Sequence, residues 1–195
     1  MLAVLNAWSW VSIGTRDVDA ACAFWVDMLG FECVDRAEGD DPGLRHHWQL
    51  TDRQICRQVI VRSPGADCGA IHLVEYDTAG ASVRQDAAVF DLCPKNLDIY
   101  VDDLPLRMAE LEAKGIRFRN QRYSEAVSPD GVHFREIHLA GHDDLNIVLL
   151  QIMGSDALPT ESGFYGVGPL VCIVDNPVAE KAFYRNVMGL SLSHD

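Results

Sequence analysis

The sequence has no cysteine pair at Cys-x-x-Cys spacing and no cluster of lysine and arginine. No apolar run approaches the roughly 20 residues needed to span a bilayer. Its six cysteines, at 22, 33, 56, 68, 93 and 172, show no zinc spacing. Several sit in apolar runs, such as Ala21-Cys22-Ala23 and Val171-Cys172-Ile173, where cysteine behaves as a small core hydrophobe. This usage points to reduced thiols and a cytoplasmic protein. Basic residues are scarce: 16 Lys and Arg stand against 29 Asp and Glu, for a net charge of −13. Such a surface repels phosphate backbones and anionic lipids, which argues against nucleic-acid and membrane partners. The apolar residues 1–11 lack the basic start and the small-residue cleavage site of a secretory signal. No Gly-x-Gly-x-x-Gly, Walker or Gly-x-Ser-x-Gly pattern occurs, so nucleotide folds and serine hydrolases find no support.

What is present is a globular chain of 195 residues, 48% hydrophobic and 23% charged, long enough for a core without disulfides. Three segments repeat one pattern of apolar strand, acidic or Asn turn, amphipathic helix, glycine and second strand. The first comprises residues 8–15, Asp17, 18–29, Gly30 and 31–34. The second comprises 97–101, Asp102-Asp103, 104–114, Gly115 and 116–118. The third comprises 170–174, Asp175-Asn176, 177–188, Gly189 and 190–192. In the first helix Val18, Cys22, Trp25 and Leu29 form one buried stripe, with Asp17 as N-cap and Gly30 at a left-handed C-terminal position. Ala23-Phe24-Trp25 and Met28-Leu29-Gly30-Phe31 correspond to Ala182-Phe183-Tyr184 and Val187-Met188-Gly189-Leu190, which marks an internal repeat. Further strands are expected at 58–62 and 70–76, and at 132–139 and 145–151, so the first two copies each read as βαβββ. The expected fold class is α+β, with tandem βαβββ modules forming a half-open, barrel-like mixed sheet. Residues 1–152 form the domain (modules about 1–92 and 93–152), 153–162 a linker, and 163–195 the start of a further, incomplete module.

A tandem βαβββ unit carrying Asp-x-x-x-Ala-x-Ala-Phe-Trp-x-x-x-Leu-Gly-Phe, as in residues 17–31, resembles the vicinal oxygen chelate superfamily. That superfamily includes glyoxalase I, extradiol dioxygenases and bleomycin-resistance proteins. The resemblance covers essentially the whole chain and implies the fold far more strongly than any chemistry. It also implies a divalent ion (Fe, Mn, Zn, Ni or Mg) held by His and Glu from the first and last strands of each module. Carried over by position, those places fall on Trp10, His72, Asn96 and Val148. Only His72 is a strong donor, and a catalytic ion typically needs about three protein ligands, so no metal and no other cofactor is expected.

Alternation along the strands places Trp10, Ser12, Asn96, Asp98 and Tyr100 with His72 on the ligand-facing side. These residues make an aromatic-walled pocket with a few polar tips, suited to a small organic ligand. The opposing reading is that Trp10 and Tyr100 fill a collapsed barrel and Asp98 pairs with a cation. His72 reads either as an acid/base or as a hydrogen-bonded interior histidine. Glu136 and His138 share a strand face, as an acid/base pair or as an interstrand charge pair, while His46, His47 and His142 fall in polar loops. The resulting functional expectation is an enzyme of the glyoxalase or dioxygenase type (lyase, isomerase or dioxygenase) with a degenerate metal site. It would act on a small oxygenated or aromatic metabolite, with His72 catalytic and the other five residues binding ligand. The alternative is a non-catalytic, bleomycin-resistance-like binding protein. A homodimer is expected in either case.

Overall fold

The computed structural model describes residues 9–84, 86–88, 90–155 and 160–192. Trp8, residues 156–159 of the expected linker and residues 193–195 of the third copy fall outside the described residues. The first module runs β1 (Trp10–Thr15), α1 (Val18–Ala23), β2 (Glu32–Glu38), α2 (Pro42–His47), β3 (Ile55–Arg62) and β4 (Ala70–Tyr76). The second runs β5 (Pro94–Val101), α3 (Leu104–Ala113), β6 (Ser124–Val127), β7 (His133–Ala140) and β8 (Asn146–Ile152). β9 (Phe164–Cys172) and α4 (Pro177–Asn186) belong to the third copy.

The local signals act as read. The Asp17 carboxylate accepts from the N–H groups of Asp19 and Ala20, which caps α1. A π-helical turn, Phe24–Met28, continues the helix and lets the neighbours Phe24 and Trp25 both reach the core. Gly30 then reverses the chain at φ 71°.

Three local expectations are corrected. The histidines placed in a loop, His46 and His47, end α2, which forms because Asp41 caps Leu44 and Pro42 opens the first turn. Residues 116–118 give only one bridge, between Phe118 and Leu139, and the module's second strand is β6. No strand forms at 190–192, where Leu190 and Leu192 remain exposed.

The strands make two mixed, open sheets, in the orders β1-β4-β3-β2 and β6-β7-β8-β5-β9. In each module the first strand runs parallel to the last, β1 to β4 and β5 to β8. β9 adds antiparallel to β5, so the stretch read as the start of a further module supplies a strand to the second sheet. One face of each sheet packs on the helices. Ile71, Leu73, Ile147 and Leu149 are fully buried there, in one core shared with Trp25, Leu29 and Leu104. The alternate residues are thereby forced to the opposite face.

The two modules are also tied by polar contacts. Asp143 Oδ2 accepts from the Thr15 hydroxyl at 2.5 Å and from the Arg16 N–H at 3.3 Å. Asp143 reaches them from a left-handed backbone, φ 49° and ψ 28°, a conformation that costs a non-glycine residue roughly 1–2 kcal/mol. The adjoining His142 ring stands edge-on to Phe24 and Trp25, at 6.0 and 6.1 Å. Asp143→Ala loses the hydrogen bonds and keeps the strain, whereas Asp143→Gly loses the bonds and relieves it. Both should therefore lower the unfolding free energy in urea, with the alanine variant worse by about 1 kcal/mol. Equal stabilities would contradict this account of the junction.

Candidate functional site

Register on the first sheet brings Ser12 beside His72 and His72 beside Ile60, with Gln58 on the diagonal. His72 Nε2 lies 2.9 Å from Gln58 Oε1, and Nδ1 lies 3.1 Å from Ser12 Oγ. An amide oxygen only accepts, so Nε2 carries a proton, and in the neutral ring that burial favours Nδ1 accepts the Ser12 O–H. Burial pushes the His72 pKa below its ordinary value, opposed by the Asp41 carboxylate. Two indoles flank the ring: Trp10 from β1 at 6.1 Å, and Trp48 from the end of α2 at 6.0 Å. Trp10 is 53% exposed and His72 only 5%, so the imidazole is covered while the indole beside it stands open to solvent.

The second sheet carries a different cluster. Asn96, Asp98 and Tyr100 follow one another on a single face of β5, and Asn96 Nδ2 donates to Asp98 Oδ1 at 2.5 Å. Asp98 is 6% exposed. Burial and, less strongly, Glu136 raise its pKa to about 6 against the lowering effect of the Asn96 hydrogen bond. Tyr100 stacks on Tyr165 of β9, with centroids 5.9 Å apart and planes at 15°. Burial and Asp98 both raise the phenol's pKa. Glu136 and His138 lie on the same face, paired in register with Leu150 and Val148. Glu136 accepts from Ser124, and His138 Nδ1 lies 3.2 Å from the Asn146 amide nitrogen.

The six residues read from the sequence thus fall into two groups, Trp10, Ser12 and His72 on one sheet and Asn96, Asp98 and Tyr100 on the other. Among the described residues no hydrogen bond or ring contact joins the groups. Two cavities, of about 260 and 330 Å³, lie elsewhere, beside the β6–β7 edge and between α1 and the 141–143 loop. Sequence reasoning missed Gln58, Trp48 and Tyr165. The alternation of Gln58 with Val59 and Val61 could have placed it, whereas Trp48 arrives through a 16-residue excursion between β2 and β3.

The positions at which the resemblance places metal ligands hold an indole, an imidazole, an amide and an isopropyl group, in Trp10, His72, Asn96 and Val148. These do not make a divalent-ion donor set. Among the described residues, no three His, Cys, Asp or Glu side chains converge as metal ligands.

The arrangement is that of the vicinal oxygen chelate fold, with βαβββ modules in open mixed sheets, as the repeat motif implied. Solved structures agree. A glyoxalase family protein from Bacillus cereus superposes with a TM-score of 0.61 at 16% identity, over 78% of this chain and 97% of that one. A variant of glyoxalase I from Zea mays gives 0.60 at 12% identity, over 96% of this chain and 57% of that one. A provisionally assigned dioxygenase from Bacillus subtilis gives 0.61 at 14%, over 97% and 56%. The chain therefore spans a little over half the length of the latter two. No family model and no curated protein matches the sequence. At these identities the likeness defines the fold. Among the described residues no helix is long and apolar enough to cross a membrane, and all six cysteines are free.

A carboxyl whose folded pKa is raised favours the native state while protonated, and that contribution disappears as pH rises through about 6. Ionised Asp98 is therefore a burden above pH 6, of roughly 2–3 kcal/mol for a shift from 3.8 to about 6. Asp98→Asn keeps an acceptor for Asn96 and removes the charge. It should raise the melting temperature at pH 8 and have little effect at pH 4. Equal effects at the two pH values would contradict the assignment.

Proposed function

We propose that the chain is a small-molecule enzyme of the glyoxalase or dioxygenase type that works without the family's metal, on a small oxygenated or aromatic metabolite. The observation that carries this reading is the Ser12–His72–Gln58 chain between two indoles. A planar or oxygenated substrate stacks against Trp10 and Trp48. Its acidic O–H or C–H displaces the Ser12 hydroxyl from Nδ1, and His72 takes the proton there. Gln58 holds Nε2–H and with it the orientation of the ring. A pKa held down by burial keeps the imidazole a free base at neutral pH. Asn96, Asp98 and Tyr100 bind polar and aromatic groups at the second face. Homodimeric assembly and a cytoplasmic location belong to the same proposal, the latter resting on acidic charge and reduced thiols.

The competing reading is a binding protein that sequesters its ligand, favoured by the engagement of both His72 nitrogens. Screening oxygenated aromatics by Trp fluorescence together with product analysis separates the two. The enzyme reading predicts quenching with turnover, and His72→Ala should lower kcat by about 10²-fold or more. Quenching without product would establish the binding protein, and unchanged turnover in His72→Ala would contradict the role of the histidine.

A further inference from the structure

The helix-bearing face of the first sheet carries reactive groups of its own. Residues paired across an antiparallel ladder project to the same face. On β2, Cys33 pairs with Val61 and, past the register break, Arg36 pairs with Val59. Val59 and Val61 are fully buried in the core that the helices cover. Cys33 and Arg36 therefore stand on the helix-bearing face, at the border of the sheet, since among the described residues no strand lies beyond β2.

α1 runs over that border. Arg36 Nη1 binds Asp19 Oδ1 at 2.7 Å, and Arg57 of β3 binds the other oxygen of Asp19. Asp19 and Cys22 are i and i+3 on the helix, hence neighbours on its surface. With Asp19 fixed over Arg36, one turn further along the helix brings Cys22 to Cys33. The Cys22 thiol lies within hydrogen-bonding reach of the Cys33 sulfur and of the Arg36 guanidinium. Burial and, next, the neighbouring Cys33 push the Cys22 thiol above its ordinary pKa. Cys22 is enclosed in the core, whereas Cys33 is open to solvent, its thiol donating to the Asp35 carbonyl at 3.7 Å. An accessible thiol beside a second one is the arrangement in which a sulfenic acid is resolved as a disulfide.

We propose that Cys22 and Cys33 form a peroxide-reactive dithiol, in which exposed Cys33 attacks the oxidant and enclosed Cys22 resolves it as an intramolecular disulfide. Cys33 Sγ attacks one oxygen of hydrogen peroxide. The S–O bond forms, the O–O bond breaks, and the thiol proton leaves with the departing hydroxide as water. Cys22 Sγ then attacks the Cys33 sulfur. The S–S bond forms, the S–O bond breaks, and the Cys22 proton leaves with the hydroxyl as a second water. The two thiols give up two electrons, and the peroxide takes them up. Closure needs no second chain and keeps Cys33 from going on to the irreversible sulfinic acid. The pair lies on the opposite face of the sheet from His72 and is independent of the chemistry there.

The full chain treated with hydrogen peroxide, alkylated, digested without reductant and mapped by mass spectrometry tests the pair. Cleavage after Phe24 or Trp25 separates the two cysteines. The expected product is a Cys22 peptide joined to a Cys33 peptide, with the intact chain lighter by two hydrogens and restored by dithiothreitol. Cys22→Ser should leave Cys33 as a sulfenic acid, which dimedone captures about tenfold more than in the wild type. Cys33→Ser, at an exposed position, should abolish the link. The wild-type map decides by itself should Cys22→Ser fail to fold. Equal dimedone capture in the wild type and in folded Cys22→Ser would overturn the proposal. So would a wild-type Cys33 that reaches the sulfinic acid, or stays unreacted, while Cys22 remains open to alkylation, or a Cys33 joined to any other cysteine.

Discussion

The alternation of side chains along β4 governs much of what this protein can do. Ile71 and Leu73 are fully buried on the helix-bearing face, which leaves His72 no place except the other face. A register slip of one residue would expose two large apolar side chains, at roughly 1.5–3 kcal/mol each, and bury the imidazole among helices. The same constraint acts on β5, where Leu97 and Ile99 hold Asp98 on the opposite side. The core therefore fixes the position of both polar clusters, and the shared packing of α1 and α3 fixes the modules that carry them.

Each cluster solves the problem of burying polarity differently. His72 is nearly enclosed and satisfied at both nitrogens by uncharged partners, which fits a neutral ring. Asp98 is equally enclosed but has only an amide donor beside it and a second carboxylate nearby, which moves its titration toward neutrality. One module thus presents a neutral imidazole between indoles, and the other a buried carboxyl beside stacked phenols. The two modules share their packing and differ in their polar side chains. The Ala-x-Ala-Phe-Trp helix belongs to the packing, and it is present here without a divalent-ion donor set at Trp10, His72, Asn96 and Val148.

Much of this was legible in the sequence. Asp17, Gly30 and the Val18–Cys22–Trp25–Leu29 stripe announced the first helix, and the repeat announced the second module and the superfamily's fold. Face assignments from alternation placed Ser12, His72, Asn96 and Asp98 correctly relative to their sheets. What could not be read was tertiary. α2 depends on a short cap and a proline inside a polar stretch, with no apolar periodicity to announce it. The approach of Trp48 to His72 depends on how that excursion folds back, and the pairing of β9 with β5 is a choice among open edges that local pattern does not encode. Residues 116–118 misled because apolar alternation over three residues is too short to compete with the β6–β7 ladder.

The central claim is that His72 is a neutral base whose reactive Nδ1 is held ready by Gln58 at the other nitrogen. The most direct measurement is ¹⁵N NMR of the histidine rings through a pH titration, assigned with His72→Ala. The account predicts a neutral ring at pH 7, protonated at Nε2, with a pKa below the ordinary value of about 6.5. An imidazolium at neutral pH, or a ring protonated at Nδ1, would contradict it.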